Sequence, residues 1–125
     1  MSEHDLSRSN FTVDVASVDL PVLTDHGMKV VAGAGEVRHL PLSVNRELGI
    51  ERGIWEAAEG VVEDTEVDEL AVIVSGDATI EFLDGSAPPV ELRPGTMLIL
   101  KEGVRTRWTV RKRLRKLYQT PWAGD

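Results

Sequence analysis

The stretch DTEVDELAVIVSGDATIEFLDGSAPPVELRPGTMLILKEGVRTRW, residues 64–108, decides the fold. Short apolar segments alternate in it with turns that contain glycine, and no apolar period of 3.6 residues is sustained. The pair Asp84-Gly85 is typical of a hairpin, and Pro94-Gly95 is typical of a tight turn. The pattern predicts an all-β fold in which short antiparallel strands form a sandwich or a barrel.

The segment ELAVIVS, residues 69–75, is predicted to be the central strand of this fold. With a period of two, Leu70 and Val72 lie on one side of the strand, whereas Ala71 and Ile73 lie on the other. Because both sides are apolar, we expect other parts of the protein to cover both faces.

The sequence before this stretch contains signals for further strands. IERGIWEA, residues 50–57, has the two-residue period of a strand. FTVDVASVDL, residues 11–20, is predicted to form an N-terminal strand or arm that ends at Pro21. The polar residues 1–10 are predicted to be disordered, which leaves residues 11–125 as a single domain.

The composition excludes several classes of protein. The chain has no cysteine, which excludes disulfides and thiolate chemistry and favours a cytoplasmic location. The N-terminus lacks the apolar stretch of a signal peptide, and the longest apolar runs, LAVIV and MLIL, are too short to span a bilayer. We therefore expect a soluble cytoplasmic protein with no membrane partner.

Charge is distributed unevenly along the chain, whose formal net charge is −7. Residues 56–69 contain seven acids and no base, whereas residues 105–116 contain seven bases and no acid. The net negative charge argues against nucleic-acid binding, and Trp108 is the one aromatic residue within the basic segment. We expect the two segments to face each other across a sheet or an interface, where their charges pair.

Two spacings in this region resemble the two-part motif of the cupin family. The first cupin motif has a glutamate seven residues before a glycine, which is the spacing of Glu69 and Gly76. The second motif has a proline and a glycine ahead of a histidine. RPGTMLIL (residues 93–100) and Gly103 match the first part of this motif, and Thr106 falls at the position of the histidine.

The resemblance covers about residues 50 to 118 and implies a single-domain cupin, an antiparallel β-barrel of the jelly-roll or double-stranded β-helix type. GIWEA, RPGTMLIL and VRKRLRKLYQ are similar to segments of the small cupins grouped with (S)-ureidoglycine aminohydrolase and the ethanolamine-utilisation cupins. Small cupins commonly pair through sheet edges and exchange N-terminal strands. The resemblance therefore implies a homodimer to which FTVDVASV (residues 11–18) contributes.

The metal ligands of cupins are largely missing from this chain. Metal-dependent cupins bind their ion through a His-x-His pair, a glutamate and a third histidine. Only Glu69 matches this set, because no histidine precedes it in VVEDTEVD and Thr106 replaces the late histidine. His4, His26 and His39 lie outside the motifs, and His39 is expected at the surface or at an interface. We therefore expect no bound transition metal and no cofactor.

A site made of carboxylates alone is the alternative for the acidic segment. Glu63, Asp64, Glu66, Asp68 and Glu69 could offer oxygen ligands to calcium, magnesium or manganese. Alternation along a strand allows at most two or three of them to converge, and their spacing matches no calcium loop. The segment is therefore interpreted as a solvated acidic loop.

The barrel interior is the predicted binding site. A strand that turns Thr106 inward also turns Trp108 inward, and the family alignment places Glu69 in the same interior, where Trp55 is expected to join it. The tryptophans supply contact area for a small molecule or are simply core, and Tyr118 reaches the mouth of the pocket or caps the core.

Glu69 has two possible roles inside such a barrel. Burial would raise its pKa towards the range of a general acid or base, or the carboxylate pairs with one of the arginines. The sequence thus favours a metal-independent cupin that binds a small polar metabolite, with Glu69 as the candidate catalytic residue. A non-catalytic module for ligand binding or assembly is the alternative, and a metal-dependent aminohydrolase is implied by the family name alone.

Overall fold

The computed structural model describes residues 10–124, and this part of the chain contains nine β-strands. They are β1 (Val22–Leu23), β2 (Lys29–Gly33), β3 (Val37–Asn45), β4 (Ile50–Ala57), β5 (Gly60–Thr65), β6 (Glu69–Phe82), β7 (Val90–Leu92), β8 (Met97–Leu100) and β9 (Arg105–Pro121). The predicted disorder of the first ten residues lies outside the described part, apart from Asn10. Within that part, no helix is long and apolar enough to cross a membrane.

The strands form one antiparallel sheet that curls into a barrel, which confirms the predicted fold class. The order is β1-β3-β4-β9-β5-β2, and β6 pairs with β7, β8 and β9. Strand β9 joins the two halves, since its first part pairs with β5 and its second part pairs with β4. The register of β6 against β9 shifts near Gly76, where a Cβ atom would lie 2.3 Å from the carbonyl oxygen of Arg113. Glycine lets the two long strands bend past each other there.

The core fills the inside of the curled sheet with alternate residues of β6 and β9. Ala71 and Ile73 of β6 are at most 1% exposed, and Trp108 and Val110 of β9 are 2% and 5% exposed. These four residues face inward, as predicted for Trp108. Trp55 is partly buried and packs against the same cluster. The alternation of strand side chains therefore carries Trp108 and Glu69 to the inner face of the barrel.

The acidic and basic segments pair across the sheet, as their charges predict. Glu63 of β5 lies 2.7 Å from Arg107, its register partner on β9. Glu56 of β4 lies 2.9 Å from Arg115, again its register partner on β9. The antiparallel register thus sets opposite charges side by side along both halves of β9.

The N-terminal segment forms an arm and no strand. Residues 15–17 form a turn, and Arg115 Nη1 donates hydrogen bonds to the carbonyl oxygens of Val15 and Val18, at 3.0 and 2.9 Å. Leu20, at the end of the segment, is 3% exposed. The strand alternative for residues 11–20 is wrong, because a guanidinium group on β9 binds these carbonyls in place of a neighbouring strand.

The second face of ELAVIVS is less covered than the sequence predicts. Leu70 is 44% exposed, and its register partner Ile99 on β8 is 66% exposed. Met97, the partner of Val72, is 56% exposed. The expectation of two covered faces is therefore wrong within one chain, since β6 to β8 curl around a single core and leave their outer side chains uncovered. Leu70, Met97 and Ile99 are called the outer apolar patch below.

Candidate functional site

A cavity of about 300 Å³, partly open to solvent, lies between β3, β4, β5, β6 and β9. The ionisable side chains in its wall are those of His39, Glu51, Asp64, Glu66, Glu69 and Lys116. The aromatic side chains in its wall are those of Trp55, Trp108 and Tyr118. The cavity is thus apolar on some sides and strongly polar on others, which is typical of a small-molecule site.

Glu69 and Lys116 form a buried ion pair in the wall of this cavity. Lys116 Nζ lies 2.8 Å from Glu69 Oε2, and the two side chains are only 7% and 6% exposed. The ammonium group compensates the charge of this oxygen, and Oε2 accepts no other hydrogen bond in the described part of the chain. A carboxylate oxygen has two lone pairs, so Oε2 keeps one position for a further donor.

Two tryptophan rings flank the ammonium group of Lys116. Its Nζ lies 4.5 Å from the ring centroid of Trp55 and 4.8 Å from that of Trp108. The two rings are 6.0 Å apart at an interplanar angle of 48°. The ring faces stabilise the cation by cation–π attraction in a place with little water.

Glu66 is held by two donors from β9. Thr106 Oγ1 donates to Glu66 Oε2 at 2.6 Å, and Trp108 Nε1 donates to the same oxygen at 3.2 Å. Glu66 is 5% exposed, and burial raises its pKa above the ordinary value of 4.5 although the hydroxyl of Thr106 acts in the opposite direction. The contacts fix the orientation of the Trp108 ring and place a carboxyl group with a raised pKa in the cavity wall.

His39, Tyr118 and Glu51 form a second hydrogen-bonded group in the wall. The Tyr118 hydroxyl donates to Glu51 Oε2 at 2.6 Å and lies 2.5 Å from His39 Nε2. Since the hydroxyl proton is used on Glu51, its oxygen accepts from His39, which assigns the Nε2–H tautomer to that ring. Burial lowers the pKa of His39 and raises that of Tyr118, so both groups are neutral near pH 7.

Gly53 leaves the room that Tyr118 occupies. A Cβ atom at this position would lie 2.5 Å from the Tyr118 hydroxyl and 2.8 Å from the carbonyl oxygen of Leu40. Gly53 and Tyr118 are register partners on β4 and β9. The glycine of GIWEA is therefore a packing requirement of the cavity wall.

The structure brings most of the predicted site residues together. Glu69, Trp55, Trp108 and Tyr118 all line the cavity. Thr106 does not line it; this residue is fully buried and supports the wall through its bond to Glu66. The predicted arginine partner of Glu69 is wrong, because Lys116 takes that place.

Lys116, His39 and Glu66 are among the wall residues that were not predicted as site residues. Lys116 could have been found, since a strand period of two from Tyr118 places it on the same face. His39 was expected at the surface or an interface, but it is the register partner of Trp55 and its side chain is 22% exposed. That pairing between β3 and β4 leaves no local signal in the sequence. Glu66 was interpreted as part of a solvated loop, which is wrong for this buried residue.

The residues present do not fit the metal site of other cupins. Thr106 occupies the histidine position and is bonded to Glu66, whereas Glu69 is paired with the ammonium of Lys116. Among residues 10–124, no group of three or more histidine, aspartate or glutamate side chains is arranged to hold an ion. Asp64, Glu66 and Glu69 do share the cavity wall. Three of the five acids considered for a carboxylate-only site therefore converge, which is the largest number that strand alternation was expected to allow.

Solved structures with a similar fold come from several cupins. The Clostridium difficile EutQ protein is 20% identical with a TM-score of 0.61, over 74% of this chain and 72% of that chain. A putative ethanolamine utilization protein Q from Salmonella typhimurium is 14% identical with a TM-score of 0.58, over 70% and 71% of the two chains. Ectoine synthase from P. lautus is 14% identical with a TM-score of 0.61, over 74% and 68%. At these identities the likeness establishes the fold alone.

The family follows from the sequence match. No curated protein matches this chain. Residues 45–118 match the family described as the EutQ-like cupin domain. The matched segment contains Trp55, Glu69, Thr106, Trp108 and Tyr118. Because the match spans more than half of the chain, this protein belongs to the EutQ-like cupin domain family.

Proposed function

We propose that this protein is a metal-independent cupin that binds a small polar metabolite in the cavity between Trp55, Trp108 and Glu69. The observation that carries the proposal is the buried ion pair of Glu69 and Lys116, which lines the cavity and leaves a lone pair of Glu69 Oε2 for a further donor. A ligand that donates to this ionised group would add a charge-assisted hydrogen bond in a buried place.

The size of the cavity suits a small ligand. About 300 Å³ lies at the lower end of the range of roughly 300 to 1,000 Å³ that is usual for small-molecule pockets. The tryptophan rings supply apolar contact area, and the charged groups orient the ligand. A compound the size of an amino acid would fill such a space.

The catalytic version of the proposal gives Glu69 the role of general acid or base. In this version Lys116 holds the carboxylate in place against the ligand, and it is a positioning residue. The alternative is a non-catalytic protein for ligand binding or assembly. An aminohydrolase that depends on a metal is disfavoured by the donor set, because Glu69 is held by a lysine and Thr106 by a glutamate.

Oligomerisation is proposed as well. The outer apolar patch favours a homodimer in which two copies cover each other's Leu70 and Ile99.

The ion pairs along β9 argue against a nucleic-acid partner, because Arg107 and Arg115 are already neutralised by glutamates. A cytoplasmic location remains the expectation from the absence of cysteine.

A thermal-shift screen tests the binding proposal. The panel comprises amino acids, amines, carboxylic acids and sugars, each tested against the wild type, Glu69→Gln and Glu47→Gln. Glu47 is an exposed residue in the turn between β3 and β4, so its variant makes the same charge change away from the cavity. We expect at least one compound to raise the Tm of the wild type and of Glu47→Gln, but not that of Glu69→Gln.

A screen in which no compound raises the Tm would contradict the proposal, as would equal shifts in all three proteins. Elemental analysis of the purified protein distinguishes the metal-independent proposal from the metal-dependent alternative. The proposal requires substoichiometric manganese, iron, nickel and zinc, and no rise in Tm when these ions are added. Once a ligand is known, loss of its turnover in a folded Glu69→Gln protein would support the catalytic version.

A further inference from the structure

The charges of the cavity wall do not balance within the described part of the chain. Four carboxyl side chains, those of Glu51, Asp64, Glu66 and Glu69, share the wall with a single ammonium group, that of Lys116. Glu69 neutralises Lys116, whose Nζ is 2.8 Å away. The excess of carboxyl groups gives the cavity a surplus of negative charge.

Three of these carboxyl groups have no cationic partner in contact with them; Glu51 accepts a hydrogen bond from Tyr118, which leaves Asp64 and Glu66. Glu66 accepts hydrogen bonds from Thr106 and Trp108, both uncharged donors. Asp64 accepts a hydrogen bond from the backbone N–H of Thr65, and the described residues place no lysine or arginine in contact with it. Burial is the largest cause that raises the pKa of both groups, and the charge of Lys116 acts in the opposite direction without offsetting it.

A second observation points to a ligand at the same place. Glu69 is 8% exposed, and its Oε2 atom has no hydrogen-bond partner in the part of the chain that the structure describes. Beyond its contact with the ammonium of Lys116, this oxygen therefore has a lone pair for a further donor, beside the carboxyl groups of Asp64 and Glu66.

The aromatic walls already hold an organic ammonium group. Nζ of Lys116 lies 4.5 and 4.8 Å from the ring centroids of Trp55 and Trp108. These walls thus suit a cation that carries alkyl groups, since the ring faces attract the charge and cover the carbon atoms. A bare metal ion gains little from such walls, and residues 10–124 contain no group of three side chains arranged to hold one.

We propose that the ligand of this cavity is a small organic cation whose ammonium group pairs with Asp64 and Glu66 beside the tryptophan rings. The inference rests on the proposed function and names its ligand class. An ammonium donor supplies the missing counter-charge, and a polar group elsewhere on the ligand donates to Glu69. A small anion is disfavoured at the same place, because three of the four carboxyl groups carry no neutralising cation.

The tryptophan side chains provide an internal control for the test. Trp55 and Trp108 line the cavity, whereas Trp122 lies outside it, over the guanidinium group of Arg46. In ¹⁵N-labelled protein, each indole N–H gives its own NMR signal, which tryptophan-to-phenylalanine variants assign. The probes are methylammonium, tetramethylammonium, acetate, malonate and magnesium, all titrated at constant ionic strength.

We expect methylammonium or tetramethylammonium to move the indole signals of Trp55 and Trp108 in a saturable way, while the signal of Trp122 stays in place. Asp64→Asn and Glu66→Gln should each weaken this binding by about tenfold, the effect of losing one charge partner in a partly buried site. Glu47→Gln should leave it unchanged.

Each of the other possible results of the titrations would contradict a different part of the proposal. Saturable binding of acetate, malonate or magnesium in place of the ammonium probes would overturn the ligand class and leave the cavity as a binding site. Ammonium binding that is unaffected in Asp64→Asn and Glu66→Gln would overturn the assignment of these residues. A lack of response to every probe, together with a failed thermal-shift screen, would overturn the proposed function itself.

Discussion

The ammonium group of Lys116 lies 2.8 Å from the carboxylate of Glu69, and both side chains are more than nine-tenths buried. The pair joins the second half of β9 to the start of β6 and lies against the rings of Trp55 and Trp108. Each charge in such a pair is tolerable because of the other, so the loss of one partner leaves a charge that neither water nor protein compensates.

Removal of the lysine should therefore destabilise the protein strongly. We expect Lys116→Met to lower the free energy of unfolding by about 3 to 5 kcal/mol, because Glu69 is left as a buried carboxylate without a counter-ion. The double variant Glu69→Gln/Lys116→Met should recover a large part of this loss. Urea unfolding followed by tryptophan fluorescence measures both effects.

The matched control for this prediction is Arg111→Met. Arg111 pairs with Asp77 and Glu91 at the surface, where its side chain is 42% exposed. Its loss should cost less than about 1 kcal/mol. Equal losses in Lys116→Met and Arg111→Met would show that the buried ion pair contributes no more to the free energy of unfolding than the surface ion pair.

The raised pKa of Glu66 predicts a pH dependence of stability. Burial raises this pKa above 4.5, so the folded state holds the proton where the unfolded chain releases it. The contribution of Glu66 to stability is therefore present below about pH 4.5 and is lost as the pH rises through the raised pKa. Glu66→Gln does not titrate, so its stability relative to the wild type should increase as the pH rises from about 4.5 through the raised pKa of Glu66.

Glu63→Gln should show the opposite dependence of stability on pH. The hydrogen bond from Arg107 lowers the pKa of Glu63, so its contribution is present above pH 4.5 and is lost as the pH falls below that value. Urea unfolding over a pH series separates the two variants. The assignment to Glu66 fails if its variant follows the wild type over the whole range.

Gly53 should not tolerate even one added methyl group. In Gly53→Ala the new Cβ atom would lie 2.5 Å from the Tyr118 hydroxyl, which must then move away from Glu51 and His39. We expect a loss of about 1 to 3 kcal/mol in the free energy of unfolding, as is usual for overpacking. Tyr118→Phe removes the nearer contact and should rescue part of this loss in the double variant.

A double-mutant cycle measured by urea unfolding tests this coupling. Additive effects of Gly53→Ala and Tyr118→Phe would contradict it, since independent sites add. Two contacts limit the rescue: the Cζ atom of residue 118, which phenylalanine keeps, and the carbonyl oxygen of Leu40, each 2.8 Å from the same Cβ atom.

The outer apolar patch predicts association of the chain with itself. Ile99 is 66% exposed beside Leu70, and a charge at its centre should prevent burial against a second copy. Sedimentation velocity at micromolar concentration should show a dimer for the wild type and a monomer for Ile99→Lys. Leu48→Lys, at another exposed leucine outside the patch, should remain a dimer. A monomeric wild type would refute the dimer.

The local pattern of the sequence was enough to predict an antiparallel β-sandwich or barrel, and the resemblance to cupins selected the barrel. Alternation in ELAVIVS and IERGIWEA defined strands that the structure contains in β6 and β4, and the glycine turns defined where the chain reverses. These signals are local, because side-chain direction in a strand depends only on parity along the chain. The resemblance to cupins placed Glu69 and Thr106 in the interior, and parity from Thr106 added Trp108 to the candidates for the cavity wall.

Tertiary structure decided what these residues contact. Lys116 reaches Glu69 because β6 pairs with β9, and His39 reaches Tyr118 because β3 and β9 both pair with β4. Register between strands distant in sequence depends on how the whole sheet curls, and no window of the sequence contains that information. The sequence by itself therefore determined a β-barrel with a glutamate and tryptophans inside, whereas the pairing of strands determined that a lysine neutralises this glutamate and that Asp64 and Glu66 do not have such a partner among the described residues.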